Sequence, residues 1–150
     1  MNKNLDIEIG KLLGYTVYHY DKDVGERCYY MLMTPDFEPV ADLWRGGQRK
    51  TEAEAWNDMP QFSSDGNAML LLNDMLEELG WEITLVYRCG IYYVRLRKNG
   101  VETEAHTSGV MPEAVALAAY KVLAHKGRED EVKDNGWTKK KGFWGAGYAW

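Results

Sequence analysis

The strand arrangement of this chain is decided by residues 91 to 106, which read IYYVRLRKNGVETEAH. The pair Asn99-Gly100 is the strongest hairpin signal in the sequence, because a type I′ turn requires positive φ at both central residues and asparagine and glycine tolerate it. The turn also predicts the register, in which Lys98 faces Val101 and, at the far end, Tyr93 faces His106. A hairpin of this kind excludes an all-parallel sheet.

The predicted register divides this hairpin into two faces, since successive strand residues point to opposite sides of a sheet. One face is apolar and suits a core: Tyr92, Val94, Leu96, Val101 and Ala105. The other is polar: Tyr93, Arg95, Arg97, Glu102, Glu104 and His106. Arg95 then lies opposite Glu104 and Arg97 opposite Glu102, which favours structural cross-strand ion pairs over an open anion site.

Apolar spacing and turn residues predict the elements on either side. Thr51 and Glu54 have the spacing of a capping box at the start of a short helix, and Ser63 or Ser64 can cap a longer one that Gly80 ends. In chain order we expect a helix over residues 5–13, strands over 15–20, 27–33 and 40–44, a helix over 52–58, the longer helix, strands over 81–88, 91–98 and 101–106, and a last helix that ends at Gly127.

This order predicts an α+β protein in which an antiparallel sheet packs between or against helices, in an α-β-α sandwich-like single domain. A chain of 150 residues is long enough for one such domain. We expect residues 1–127 to form it and residues 128–150 to be a tail, first charged and then rich in glycine and aromatic residues. No run approaches the ~18 apolar residues of a membrane span, and the polar N-terminus does not resemble a secretory signal. We therefore expect a cytoplasmic protein.

Residue spacing gives no signature of catalysis, of a metal site or of a cofactor. The three histidines are far apart, and Cys28 and Cys89 belong to no CxxC pair, so we expect reduced thiols. There is no GxGxxG or GxxxxGK[ST] motif. We therefore expect a binding protein that is not an enzyme, has no cofactor and holds no metal, with a phosphodiester-cleaving enzyme as the remaining alternative.

Cations beside aromatic residues indicate where a ligand can bind. The net charge of −5 argues against long nucleic acid but leaves room for a small anion in a local basic pocket. Gly47 and the following cations precede a helix N-terminus, an arrangement that suits either a phosphate or a plain flexible turn. Tryptophan next to arginine can stack a purine. The candidate ligand-binding residues are Trp44, Arg45, Arg49, Lys50, Trp56 and Arg88.

The C-terminal tail interleaves aromatic residues with glycines and cannot form a regular amphipathic helix. Exposed apolar surface of this kind usually marks an interface. The tail therefore packs on its own domain or on a neighbouring subunit of a homo-oligomer. The candidate oligomer or partner contacts are Trp137, Phe143, Trp144, Tyr148 and Trp150.

Three stretches resemble the phage ABA-sandwich domain family: Gly14-Tyr15, Pro60-Gln61-Phe62-Ser63-Ser64-Asp65, and Pro112-Glu113-Ala114 with Ala118-Ala119. The resemblance covers roughly residues 5–125 and implies a fold and a phage origin. By analogy with small phage proteins, it favours sequestration of a small (cyclic) nucleotide immune signal in the host bacterial cytoplasm, as an anti-defence function. The alternative is a protein-interaction module that inhibits a host protein through its acidic surface and aromatic tail.

Overall fold

The computed structural model of the chain describes residues 2–21, 28–40 and 47–134, with side chains described up to residue 125. Its elements are, in order, α1 (Lys3–Leu13), β1 (Thr16–Tyr20), β2 (Tyr29–Met33), α2 (Glu52–Trp56), α3 (Gly66–Glu78), β3 (Glu82–Arg88), β4 (Ile91–Lys98), β5 (Val101–Thr107) and α4 (Met111–Asp134). Strands β1 and β2 form one antiparallel sheet, and β3, β4 and β5 form another in that order. The predicted α+β class is confirmed. Most of the strand predicted over 40–44 lies outside the described residues.

The chain divides into two compact units. The N-terminal unit is Asp6–Pro60, and the C-terminal unit is Met1–Leu5 together with Gln61–Trp150. Among the described residues, no helix is long and apolar enough to cross a membrane.

The N-terminal unit is built on the β1–β2 hairpin, against which α2 packs. Its buried apolar residues are Ile9, Tyr15, Met31, Leu32, Ala55 and Met59. Gly10 lies in α1 at a position where an added Cβ atom would collide with the Met59 side chain, so glycine permits the close approach there. Arg49 extends the sheet, because its main-chain N–H and C=O pair with those of Tyr30 at 2.7 and 2.8 Å.

The C-terminal unit carries the register that the Asn99-Gly100 turn predicts, from Lys98 opposite Val101 to Tyr93 opposite His106. Asn99 has φ of 50° and Gly100 of 84°, as a type I′ turn requires. Helix α4 packs across β4 and β5. Its small residues permit a close approach, and the apolar residues buried between them are Val94, Leu96, Ala105, Ala114, Val115, Ala118, Ala119 and Val122.

Two predicted helix ends are wrong. The N-cap of α3 is Asp65, whose carboxylate accepts from the Ala68 N–H at 3.0 Å, and not Ser63 or Ser64. Ser63 instead accepts from the Asn2 N–H at 3.2 Å. Helix α4 does not end at Gly127 but continues to Asp134. One glycine costs a helix only about 1 kcal/mol, which the helix formers around it can offset.

Candidate functional site

The candidate ligand residues fall on both units and partly outside the described chain. Arg49, Lys50 and Trp56 belong to the N-terminal unit, whereas Arg88 lies at the end of β3 in the C-terminal unit. Trp44 and Arg45 lie outside the described residues. So do all five tail residues proposed as oligomer or partner contacts, namely Trp137, Phe143, Trp144, Tyr148 and Trp150.

Arg49 is a cation held in a fixed orientation. Its Nε donates to Asp58 Oδ2 at 2.7 Å and its Nη2 to Asp58 Oδ1 at 2.8 Å. The Asp58 side chain is 13% exposed and that of Arg49 is 34% exposed. The hydrogen bond to Asp58 raises the pKa of Arg49, so the guanidinium stays charged. A guanidinium has five N–H donors, and the carboxylate uses only two of them.

Two aromatic rings continue from Arg49 across the sheet. His19 and Tyr30 are opposite each other in the β1–β2 hairpin, and their rings stack with centroids 4.2 Å apart at an interplanar angle of 5°. Arg49 is paired with Tyr30 on the other side. Because directly opposite residues point to the same face of a sheet, these three side chains lie on one face, and they are here called the cation–aromatic row. His19 is exposed, and Tyr30 and Arg49 are half-buried.

Trp56 is the last residue of α2, the helix that the Thr51 capping box begins. Its Nε1 donates to Glu52 Oε2 at 3.1 Å, and Lys11 Nζ lies 4.9 Å from its ring centroid. The cation lies over the indole ring and competes with a ligand ring for that contact. Lys50 is exposed next to Arg49.

The outer face of the three-stranded sheet bears the second grouping of cations and rings. Arg95 contacts Glu104 at 3.0 Å, and Arg97 contacts Glu102 at 3.7 Å, so the predicted cross-strand pairs are confirmed. A cavity of about 230 Å³ on this side is lined by Thr84, Val86, Arg88, Tyr93, Val94, Arg95 and Glu104. Arg88 lies 6.0 Å from the Tyr93 ring centroid.

Cations and carboxylates are balanced on this outer face. Alternation along the paired strands places Arg88, Arg95 and Arg97 on one face with Glu82, Glu102 and Glu104, so the formal charges cancel. In the described part of the chain, the histidines, cysteines and carboxylates form no group of three that could hold a metal ion. Cys28 and Cys89 are exposed and form no disulfide.

Sequence reasoning missed His19 and Tyr30 as site residues. Their pairing depends on the register of a hairpin whose connection runs from Asp21 to Cys28. A connection of that length does not determine a register in the way a two-residue turn does. Arg49 joins the row only through a pairing with a strand far away in the sequence.

The chain was compared with known proteins at the level of families, sequences and folds. Neither protein-family models nor curated proteins nor solved structures gave a match. Its function is therefore inferred from the geometry of the described residues.

Proposed function

We propose that this protein is a non-enzymatic binding protein whose cation–aromatic row holds a small anionic ligand of nucleotide type. The observation that carries the proposal is the stack of His19 on Tyr30 on the same face of the sheet as Arg49. Stacking of a base on an aromatic side chain contributes about 1–3 kcal/mol and tolerates any base. A guanidinium supplies N–H groups that donate hydrogen bonds to the phosphate oxygens.

The row divides the recognition between its two ends. The exposed ring of His19 offers a face on which a base can stack, and the Arg49 N–H groups that Asp58 leaves unused can donate to a phosphate. Because Asp58 already orients the guanidinium, binding loses less conformational entropy than it would with a mobile arginine.

Sequestration of a cyclic nucleotide signal is the biological role we propose for this binding. It depends on the resemblance to phage ABA-sandwich proteins, which favours an anti-defence function in the host bacterial cytoplasm. A sequestering protein must hold its ligand without converting it. Tight binding and intact recovery of the ligand are therefore the two properties to measure.

A thermal-shift screen against cyclic mono-, di- and trinucleotides and ADP-ribose derivatives tests the proposal. A ligand at 100 times its dissociation constant adds about 2.7 kcal/mol to the free energy of unfolding, which raises Tm by several degrees. We expect a selective rise, and recovery of the nucleotide unchanged after the protein is denatured. Turnover of the nucleotide would make the protein an enzyme, and no shift across the panel would reject nucleotide sequestration.

Variants of the row locate the ligand. His19→Ala removes the stacking face and Arg49→Lys removes the fork geometry while keeping the charge, so each should weaken binding about tenfold or more. Tyr18→Ala is the matched control, because Tyr18 is the exposed neighbour of His19 on the opposite face of β1. Unchanged affinity in both row variants would place the ligand elsewhere.

A further inference from the structure

We propose that β3 is a dimerisation edge at which two copies of this chain join their β3 strands antiparallel about a two-fold axis at Leu85. The two three-stranded sheets would then become one continuous sheet. This surface lies in the C-terminal unit and does not depend on the proposed ligand site. Four observations support it: the exposure of β3, its lack of edge protection, its hydrogen-bonding direction and its charge pattern.

β3 is the exposed edge of its sheet. It occupies one end of the order β3-β4-β5, and every residue in it except Ile83 is exposed. Leu85 is 39% exposed, Val86 is 45% exposed and Tyr87 is 62% exposed. No described segment pairs with its outer side. An exposed, regular edge rich in β-branched and aromatic residues readily pairs with another strand.

The opposite edge of the same sheet, β5, is protected against pairing with another strand, whereas β3 is not. At β5, Lys121 Nζ donates to the main-chain oxygen of Glu104 at 2.9 Å and so occupies an edge acceptor. Lysine and proline are the usual residues that block edge pairing. β3 reads EITLVYR and contains neither. This difference between the two edges indicates that the edge of β3 is available to pair with another strand.

The turn before β4 determines which main-chain groups of β3 face outward. Cys89 and Gly90 have φ of 54° and 79°, a two-residue turn of type I′ between Arg88 and Ile91. The residues flanking such a turn exchange main-chain hydrogen bonds, and the pattern alternates along the strand. The main-chain N–H and C=O groups of Arg88, Val86 and Thr84 are therefore directed at β4. The main-chain groups of Ile83, Leu85 and Tyr87 are directed at the open edge.

With a two-fold axis at Leu85, the outward main-chain groups of one copy can form hydrogen bonds with the same outward groups of the other. Leu85 of one copy lies opposite Leu85 of the other, and Ile83 lies opposite Tyr87, so apolar side chains meet on one face. On the other face Glu82 lies opposite Arg88 at both ends of the pairing. This register pairs all seven residues of β3. A shift of the axis by one residue in either direction shortens the pairing and separates both charged pairs.

Charge complementarity is what selects a second copy as the occupant. Within the described residues, Arg88 takes part in no ion pair, and its guanidinium lies over the Tyr93 ring. The Glu82 side chain is 67% exposed and lies 3.3 Å from Arg97, so one carboxylate oxygen remains open to a further cation. Opposite charges directly across strands stabilise the pairing, and like charges destabilise it.

Sedimentation equilibrium of the full chain with charge-reversal variants tests the proposal. We expect a mass of twice 17.2 kDa for the unaltered protein. Arg88→Glu and Glu82→Lys should each raise the dimer dissociation constant at least tenfold. The double variant Glu82→Lys/Arg88→Glu should restore dimerisation, which a merely structural defect would not allow. Glu77→Lys, the same charge change on the exposed side of α3, is the matched control and should leave the dimer intact.

A cross-link tests the register itself. Leu85→Cys in a Cys28→Ser/Cys89→Ser background places two thiols across the axis at a hydrogen-bonded pair. The Cβ atoms there are about 5.5 Å apart, too distant for an unstrained disulfide but within reach of a short bismaleimide. We expect a covalent dimer on treatment with the bismaleimide. A monomer at every concentration, a dimer indifferent to Arg88→Glu, or a dimer that forms no Leu85→Cys cross-link would each overturn the proposal.

Discussion

At the scale of single residues, Arg49 has a structural role in addition to the binding role proposed for it. Its main chain extends the β1–β2 sheet at Tyr30, and its guanidinium holds Asp58. The same carboxylate orients the cation and leaves three of its N–H donors for the proposed anion. Arg88 differs, since it lies over Tyr93 at the end of an edge strand, with no ion pair in the described part of the chain.

Removing the charge of Asp58 should destabilise the protein. Asp58→Asn replaces a bidentate ion pair of limited exposure with a weaker contact, and we expect the free energy of unfolding in urea to fall by about 1–2 kcal/mol. Asp36→Asn is the control, because Asp36 is exposed and the change should stay within about 0.5 kcal/mol. Equal stability of the two variants would contradict the structural role of the Arg49–Asp58 pair.

Tyr15 should make the protein sensitive to alkali. Burial raises the pKa of its phenol above the ordinary value of 10.0. As pH rises through about 10, the unfolded chain loses the Tyr15 proton while the folded chain keeps it, so the free energy of unfolding falls. Below that pH both states are protonated, and Tyr15 contributes no pH dependence.

Replacing the Tyr15 phenol tests whether this residue lowers the free energy of unfolding in alkali. Tyr15→Phe should reduce the loss of stability between about pH 9.5 and 11.5, measured by urea unfolding at each pH. The same change at exposed Tyr120 is the control for removal of a phenol from the surface. A Tyr15→Phe variant that loses stability in alkali as steeply as the original protein would contradict the prediction.

At the scale of elements, local signals fix the start of α2 and the turn between β4 and β5. The capping box of α2 forms as expected, with the Thr51 hydroxyl accepting from the Glu54 N–H and the Glu54 carboxylate accepting from the Thr51 N–H. The turn between β4 and β5 has the positive φ values that Asn99 and Gly100 tolerate. These contacts involve residues within a few positions of each other.

Two glycines with equally open surroundings should respond oppositely to alanine. No atom lies within 4 Å of a Cβ atom built at Gly66 or at Gly100, but Gly100 has φ of 84°. Gly100→Ala should lower the free energy of unfolding by about 1–2 kcal/mol through backbone strain. Gly66→Ala, at the first position of α3, should raise it by about 0.4–1 kcal/mol. Urea unfolding checks both, and equal signs would contradict the turn assignment.

At the scale of the whole molecule, the proposed dimer couples stability to concentration. If the native state is a dimer and the unfolded state a monomer, each tenfold rise in concentration adds about 1.4 kcal/mol to the free energy of unfolding of the dimer. We therefore expect Tm to rise by a few degrees across each decade. Arg88→Glu should remove that dependence in calorimetric scans. A Tm independent of concentration in the original protein would argue against β3 pairing.

The sequence by itself determined the α+β class, the β4–β5 register, the Arg95–Glu104 and Arg97–Glu102 pairs and the capping box. Each depends on a turn or a cap formed by neighbouring residues. It did not identify Asp65 as the cap of α3, because several residues before that helix carry suitable side chains.

Only the tertiary structure decided the cation–aromatic row and the exposure of β3. Tyr30 and Arg49 meet because a distant segment pairs with β2, and His19 stacks on Tyr30 because of a register that a long connection leaves open. β3 has an open edge because it ends the order β3-β4-β5 and no described segment pairs with its outer side, although α3 contacts it. Burial and long-range pairing set these positions, and both depend on residues far apart in the chain.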